Sequence, residues 1–318
     1  MTAAPRLTTR RDLVFGTRGS KLALAQTDLV RDILTGTHPE LTIHVLRITT
    51  KGDLILDRPL SAIGDKGLFV AEIQEALRER RIDLAVHSAK DLPSELPVDL
   101  EIAGYLPRAD HRDVLVSRDG VGLASLPAGA RVGTSSLRRL CQIRHARPDL
   151  QIVDLRGNVD TRLRRLREGA FDAIVLAAAG LERLGEIGQV SEFLDVDVMV
   201  PAVGQGALAL EIRREDPDVA NLVAAINDVT TFTAVSAERA FLARVGGGCQ
   251  VPVGAYAQIQ DDRLTLIAMI GSRDGQIVRG TVTGLIAEAT SLGRRLSESL
   301  LGNGGERLLA MAPTVRGE

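Results

Sequence analysis

The spacing of apolar and polar positions along the chain predicts short strands alternating with amphipathic helices. Leu13–Thr17 is an apolar run of strand length. Gly19 and Ser20 follow as a helix start, after which Leu22, Leu24, Ala25, Leu29, Val30 and Ile33 supply one apolar face. Residues 41–48 alternate as a strand, 68–80 read as an amphipathic helix and 82–86 as a buried strand. A second set has strands at 131–133, 151–155 and 171–176 and helices at 137–146 and 159–167. Such alternation predicts largely parallel sheets covered by helices. The last third changes character. Residues 252–260, 263–270 and 276–282 read as consecutive strands, with turn residues at 261–262 and 272–275, and 285–300 as a helix. The expected fold class is α/β: two α/β domains followed by a smaller α+β domain with an antiparallel sheet.

At 318 residues the chain is too long for one ordinary core. Its 45% apolar and 25% charged residues are those of a globular protein. Aromatic residues make up only 3%, so the cores must rest on Leu, Val, Ile and Ala, and stacking platforms for nucleic-acid bases are lacking. A net charge of −2 supplies no global attraction for nucleic acid or an anionic membrane. The most apolar stretch, 170–181, is short and broken by Asp172 and Gly180, well under the roughly 18 residues of a membrane span. Met1–Arg10 has no apolar run, so no secretory signal is expected. Cys141 and Cys249 lie far apart and form no CxxC motif. A cytoplasmic protein without a metal site is expected.

Ligand sites in open α/β sheets lie at the carboxyl ends of the strands, and polar residues gather there. Arg18 and Ser20 follow the first strand, and His87-Ser88-Ala89-Lys90-Asp91 follows 82–86. Thr134-Ser135-Ser136 opens a helix, where hydroxyls and free N–H groups can hold an anion, and Arg138 and Arg139 add forked donors suited to carboxylates. Arg156 and Arg162 follow 151–155. Between Arg131 and Glu168 stand ten arginines, no lysine and four acidic residues. Arg164, Arg165 and Arg167, on helical spacing, are expected to face water; Arg138, Arg139, Arg156 and Arg162 are candidates to bind an anion. A carboxylate at Asp91, among such cations, suits stabilisation of a positive charge. His87 is expected to be structural. In Gly246-Gly247-Gly248-Cys249 the glycines leave the thiol unshielded, and two readings stay open: a small core residue, or a covalent attachment point. Cys141, inside a helix, is expected in the core. The polar connection 50–68 has the length of a lid, and its Gly64–Phe69 segment lacks the spacing of a phosphate-binding Walker loop.

Taken together, these motifs resemble the porphobilinogen deaminase family. The resemblance rests on 16–24 (GTRGSKLAL), 50–53 (TKGD), 66–69 (KGLF), 87–93 (HSAKDLP), 133–139 (GTSSLRR), 155–159 (LRGNV), 201–206 (PAVGQG) and 247–252 (GGCQVP), in family order over roughly residues 13 to 260. It implies a transferase that joins four porphobilinogen units into hydroxymethylbilane with release of ammonia. It further implies a dipyrromethane cofactor bound by thioether to Cys249, with Asp91 as the catalytic aspartate beside an azafulvenium-like cation. Arg18, Ser20, Lys90, Thr134, Ser135, Ser136, Arg138, Arg139, Arg156, Arg162 and Gln205 become cofactor- or substrate-binding residues, and Asp53, Lys66 and Phe69 fall on the family's mobile loop. The implied fold has two periplasmic-binding-protein-like domains, 11–107 with 207–225 and 112–202, and a third at 229–318. A monomer acting on a small molecule, with no nucleic-acid or membrane partner, is implied. His111 stands where many relatives have proline, and Ala62 lies in a stretch where some have a second lysine. The rival from another class is a two-lobed anion-binding protein without catalysis, which leaves the glycine–cysteine loop and the third domain unexplained.

Overall fold

The computed structural model describes residues 12–54, 69–246 and 251–311. Its first stretch runs β1 (Asp12–Thr17), α1 (Lys21–Thr37), β2 (Thr42–Arg47), α2 (Lys51–Leu54), α3 (Ala71–Arg78), β3 (Leu84–Ser88) and β4 (Leu100–Tyr105). The second runs β5 (Asp113–Ser117), β6 (Arg131–Gly133), α4 (Leu137–Ala146), β7 (Gln151–Val153), α5 (Val159–Arg167), β8 (Ala173–Ala177), α6 (Ala178–Arg183) and β9 (Glu192–Leu194). Then come β10 (Leu208–Arg213), α7 (Pro217–Ala224), α8 (Val229–Val245), β11 (Val253–Gln260), β12 (Arg263–Gly271), β13 (Ile277–Leu285) and α9 (Ala289–Leu300).

The described chain divides into two compact units: 12–54 with 69–108 and 207–232, and 109–206 with 233–246 and 251–311. The first unit holds one five-stranded sheet in the order β2-β1-β3-β10-β4. β1 pairs in parallel with β2 and β3, while β10 is antiparallel to both β3 and β4. The second unit holds a five-stranded sheet of the same plan, β7-β6-β8-β5-β9, with β5 in the reversed place. Each sheet is thus largely parallel, as the alternation predicts, around one reversed strand. The sequence pattern announces neither reversed strand. β5 precedes the other strands of its sheet in the chain and β10 follows the others of its own, so neither belongs to a local strand–helix–strand alternation. The same holds for β4, β9 and α8, for which the periodicity gives no expectation.

Reversal has a geometric consequence. The first residue of an antiparallel strand lies at the carboxyl edge of its parallel neighbours, and Asp113 accordingly sits opposite Ala177, the last residue of β8. Leu208 likewise sits opposite Ser88.

Local chemistry explains the helix starts. Ser20 accepts a hydrogen bond from the Ala23 N–H at 3.2 Å and caps α1, which buries Gln26, Thr27, Val30 and Leu34. Ser136 does the same for α4, and Asp216 caps α7 ahead of Pro217 at its first position. The third sheet, β11-β12-β13, is antiparallel throughout, with Gln260 opposite Arg263 across the two-residue turn at Asp261 and Asp262. Asp261 takes φ +55°, the left-handed conformation such a turn requires. The last strand runs further than its pattern suggests, because Leu285 still pairs with Arg263. The helix expected from 285 therefore begins at Ala289.

Each sheet has its own core. Leu13, Phe15, Leu84, Leu208 and Leu210 pack in the first; Leu115, Val132, Ala173 and Val175 pack on one face of the second, and Val114, Ile174, Leu163 and Phe171 on the other. Ala255, Leu264, Leu266, Phe241, Leu292 and Leu296 form the third, where α8 and α9 cover one sheet face. Those helices meet at Gly293, where an added Cβ would stand 2.2 Å from the Ala237 carbonyl oxygen and 2.9 Å from the Ala240 Cβ. Alanine is about 1 kcal/mol better than glycine inside a helix, but here overpacking should outweigh it. We expect Gly293→Ala to lower stability by roughly 1–3 kcal/mol, read as a reduced Tm; a Tm at or above wild type would show that the helices part freely.

Candidate active site

In the first unit, three residues from separate places in the sequence converge. Arg18, just past β1, directs Nε at both carboxylate oxygens of Asp53 at 3.2 and 3.3 Å, with Nη2 completing the fork. The other flank is aromatic: the Arg18 guanidinium carbon lies 4.3 Å from the Phe69 ring centroid. Asp53 is fixed in turn by the Thr50 hydroxyl at 2.8 Å and the Thr50 N–H at 3.2 Å. Burial pushes the Asp53 carboxyl up, but the hydrogen bonds and charge of Arg18, helped by Thr50, hold it below the ordinary carboxylate range. Gly52 lies against Phe69 so closely that a Cβ would fall 2.2 Å from the ring. Lys66 and the rest of 55–68 lie outside the described residues.

Two further predicted residues, Lys90 and Asp91, stand on a single 3-10 turn, Ala89–Asp91, at the carboxyl end of β3. The turn is fixed on both sides: the Ala89 N–H donates to the Ala207 carbonyl at 3.0 Å, and the Gln26 amide donates to the Ser88 hydroxyl at 2.9 Å. His87 is structural, as expected. Its Nε2 lies 2.9 Å from a Glu211 carboxylate oxygen in the buried core, and the Gln74 amide donates to the other oxygen at 2.8 Å. Asp83 is also engaged, at 3.1 Å from the Arg213 guanidinium. Against these, no hydrogen bond or ion pair holds the half-buried Asp91 carboxylate among the described residues.

In the second unit the carboxyl ends of β6, β7 and β8 and the start of β5 come together. Arg138 and Arg139 are both buried, and both bind Asp113: Arg138 Nη1 at 2.6 Å and Arg139 Nε at 2.9 Å. They also reach main-chain carbonyls, Arg138 that of Val200 and Arg139 that of Val175, each at 2.8 Å. Burial pulls the Arg139 guanidinium below its usual range, and repulsion from Arg138 adds to this against the attraction of Asp113. These two arginines were expected as free anion-binding donors. Their geometry first gives them an internal partner, and two guanidiniums on one carboxylate leave an excess positive charge. Ser136 is occupied as a helix cap, and the Ser135 hydroxyl donates to the Leu155 carbonyl at 3.0 Å, tying it to the segment before Arg156. The Thr134 hydroxyl accepts from the Ser136 N–H at 3.2 Å.

Arg156 and Arg162 flank Gly157, whose φ of +109° suits glycine. Arg162 Nε donates to the Gly157 carbonyl at 2.7 Å. Arg156 keeps a buried Nη1 with no hydrogen-bond partner among the described residues, an uncompensated donor of the kind a bound carboxylate satisfies. Gln205 is fully buried and its amide donates to the His111 carbonyl at 2.8 Å, while the His111 ring stacks on Tyr256. Arg164, on the outer face of α5, is exposed beside Glu168, whereas Arg165 lies half-buried over the Phe171 ring. Cys249 lies outside the described residues. Cys141 is a core residue, as expected, with burial pushing its thiol up to about 12.

Two residues were not foreseen. Asp113 opens a strand that no alternation marks. Arg183 ends α6, donates to the Gly206 carbonyl at 2.7 Å and has no carboxylate in contact among the described residues; burial pulls its guanidinium down to about 10. Its only sequence signal is a cation two residues after the apolar run 170–181.

Fold and site thus define a mixed α/β protein whose strand ends present donors to carboxylates. A sequence model of the family described as "Porphobilinogen deaminase, dipyromethane cofactor binding domain" matches residues 13–221, and the corresponding "C-terminal domain" model matches 232–302. The porphobilinogen deaminase of Roseiflexus sp. (strain RS-1) is 61% identical over 301 residues, 95% of this chain and 99% of that protein. That of Syntrophotalea carbinolica is 51% identical over 299 residues, covering 94% and 95%. Among solved structures, the periplasmic aliphatic sulphonate binding protein SsuA from Escherichia coli resembles it at 18% identity and a TM-score of 0.39, over 74% of this chain and 70% of that one. The chain belongs to the porphobilinogen deaminase family, enzymes of tetrapyrrole synthesis that carry a dipyrromethane cofactor.

The buried triad allows a direct test. Removing Asp113 strands two buried guanidiniums, and breaking such a pair costs about 3–5 kcal/mol. We expect Asp113→Ala to lower the urea midpoint accordingly; an unchanged midpoint would mean that water or rearrangement already screens Arg138 and Arg139.

Proposed function

We propose that this chain is a transferase that joins four porphobilinogen units head to tail into hydroxymethylbilane, releasing one ammonia per addition and taking up one water when the finished chain is cleaved from its primer. The observation that carries this reading is the unengaged carboxylate of Asp91. In the same unit Asp53, Asp83 and Glu211 are held by arginine, histidine or glutamine, whereas no hydrogen bond or ion pair holds Asp91 among the described residues. A carboxylate left without a partner at a strand end is available to a ligand.

The residues suit a polycarboxylate ligand. Each pyrrole of this pathway bears an acetate and a propionate, so cofactor and growing product accumulate negative charge. Arg156, with its buried Nη1 donor, Arg183, with no salt bridge among the described residues, and the net-positive Arg138–Arg139–Asp113 cluster answer that charge. Arg18, Ser20, Lys90, Thr134, Ser135, Ser136, Arg162 and Gln205 complete the proposed binding set. The dipyrromethane, when bound, would supply the free pyrrole carbon to which the first unit is added, each later unit adding to the one before it, and we place its thioether at Cys249. In the substrate the aminomethyl nitrogen, protonated as an ammonium, takes the C–N electron pair and leaves as ammonia. Positive charge then spreads over the pyrrole and its methylene carbon, and Asp91 stabilises that charge electrostatically. A C–C bond forms at the methylene, and the proton lost from the attacking ring carbon passes to Asp91 or to water.

We further propose three domains, 11–107 with 207–225, 112–202 and 229–318; the three sheets with separate cores support this division. A cytoplasmic monomer without nucleic-acid or membrane partners fits as well. Exposed large apolar side chains such as Leu54, Val98 and Phe193 come from scattered places in the sequence, and no single described helix is long and apolar enough to cross a membrane.

Intact mass tests the attachment. The active protein should weigh more than its sequence by one dipyrrole, and Cys249→Ser should lack the increment. Native protein should also show no rapidly reacting thiol at pH 8, because Cys249 is blocked and Cys141, near 12, is only about 10⁻⁴ thiolate there. An unmodified mass in an active sample refutes the attachment. Asp91→Asn should keep the fold and lose roughly 10²–10³ in turnover; wild-type turnover would remove Asp91 from the mechanism.

A further inference from the structure

The guanidinium of Arg18 is divided among its neighbours. One edge, Nε and Nη2, is taken by Asp53, and one face is covered by Phe69. Nη1 has no partner among the described residues. Asp53 is itself immobilised by two hydrogen bonds from Thr50, whose side chain is fully buried. This is the arrangement of a held donor. A chain of fixed groups runs from a buried threonine through a carboxylate to a cation, and its last member keeps one N–H edge for an incoming group.

We propose that Asp53 is a positioning residue: with Phe69 it fixes the Arg18 guanidinium so that Nη1 is the donor offered to a carboxylate of the pyrrole substrate. The inference rests on the reading of Arg18 as a substrate-binding residue. Geometry also defines the opposite case. Were Asp53 a stand-in for the substrate carboxylate, binding would have to displace it, and removing its charge would tighten binding instead of weakening it.

Arg18 and Asp53 are each about a quarter exposed, with relative side-chain accessibilities of 22% and 24%, so solvent screens the pair and its effect is moderate. In the cofactor-loaded enzyme, Asp53→Asn should raise the KM for porphobilinogen roughly five- to tenfold and lower kcat by less. Asp53→Glu should restore most of the loss, and Thr50→Val should give a smaller rise in KM by freeing one side of the carboxylate. In an Arg18→Gln background, Asp53→Asn should add nothing, because the carboxylate acts only through that guanidinium. If Arg18→Gln does not load cofactor, Arg18→Lys, which keeps the charge and loses the fork, takes its place. A KM that is unchanged or lowered in Asp53→Asn, or a full additional rise in the double variant, overturns the positioning role. A wild-type KM in the Arg18 variant alone refutes the substrate-binding reading of Arg18 instead, so the two failures are distinguishable.

Discussion

Arg138 and Arg139 are neighbours in sequence and both buried, so their guanidiniums repel in a medium that screens poorly. That repulsion is tolerable because Asp113 lies between them and accepts from both. Asp113 gets there only because β5 runs against β8, which brings its first residue to the edge where the parallel strands end. The arginines then reach Val175 and Val200 with their remaining N–H groups, so segments around the site hang on one ion cluster. Sheet topology and site electrostatics are here one constraint, since a parallel β5 would leave two buried cations without a counter-charge.

The arginines near strand ends divide by what already holds them. Arg138 and Arg139 are bound to Asp113, Arg213 to Asp83 and Asp216, and Arg18 to Asp53 along one edge only. Among the described residues, Arg156 has a buried donor without a partner, and Arg183 is held by a main-chain carbonyl. In the proposed chemistry the less committed groups meet the carboxylates of the pyrroles, and the committed ones keep the framework rigid and positively biased. Asp91 is the complementary case, a carboxylate that no cation holds among the described residues.

Local rules made much of this legible. Ser20 and Ser136 mark helix starts because a hydroxyl before an apolar periodic run satisfies a free N–H. Asp261 and Asp262 mark a hairpin because a two-residue turn needs a residue tolerant of positive φ. His87 reads as structural beside a buried strand, and Cys141 as core, for reasons contained within a few residues. The reversed strands β5 and β10 were not legible, because each joins its sheet from a distant part of the chain. Asp113 and the fork of Arg18 on Asp53 were hidden for the same reason, being contacts between residues 25 or more positions apart.

By itself, the sequence determined the kind of elements, their order, the change to an antiparallel sheet in the last third, and the chemical types gathered at strand ends. These depend on periodicity and capping, which act over a turn or two of chain. Tertiary structure decided which of those cations are already neutralised and which donors remain, because charge pairing follows distance in space. Asp91 illustrates the division: its place after a buried strand is written in residues 82–93, whereas only the tertiary structure shows that no hydrogen bond or ion pair holds it among the described residues, while Arg18, His87 and Arg213 each hold another carboxylate.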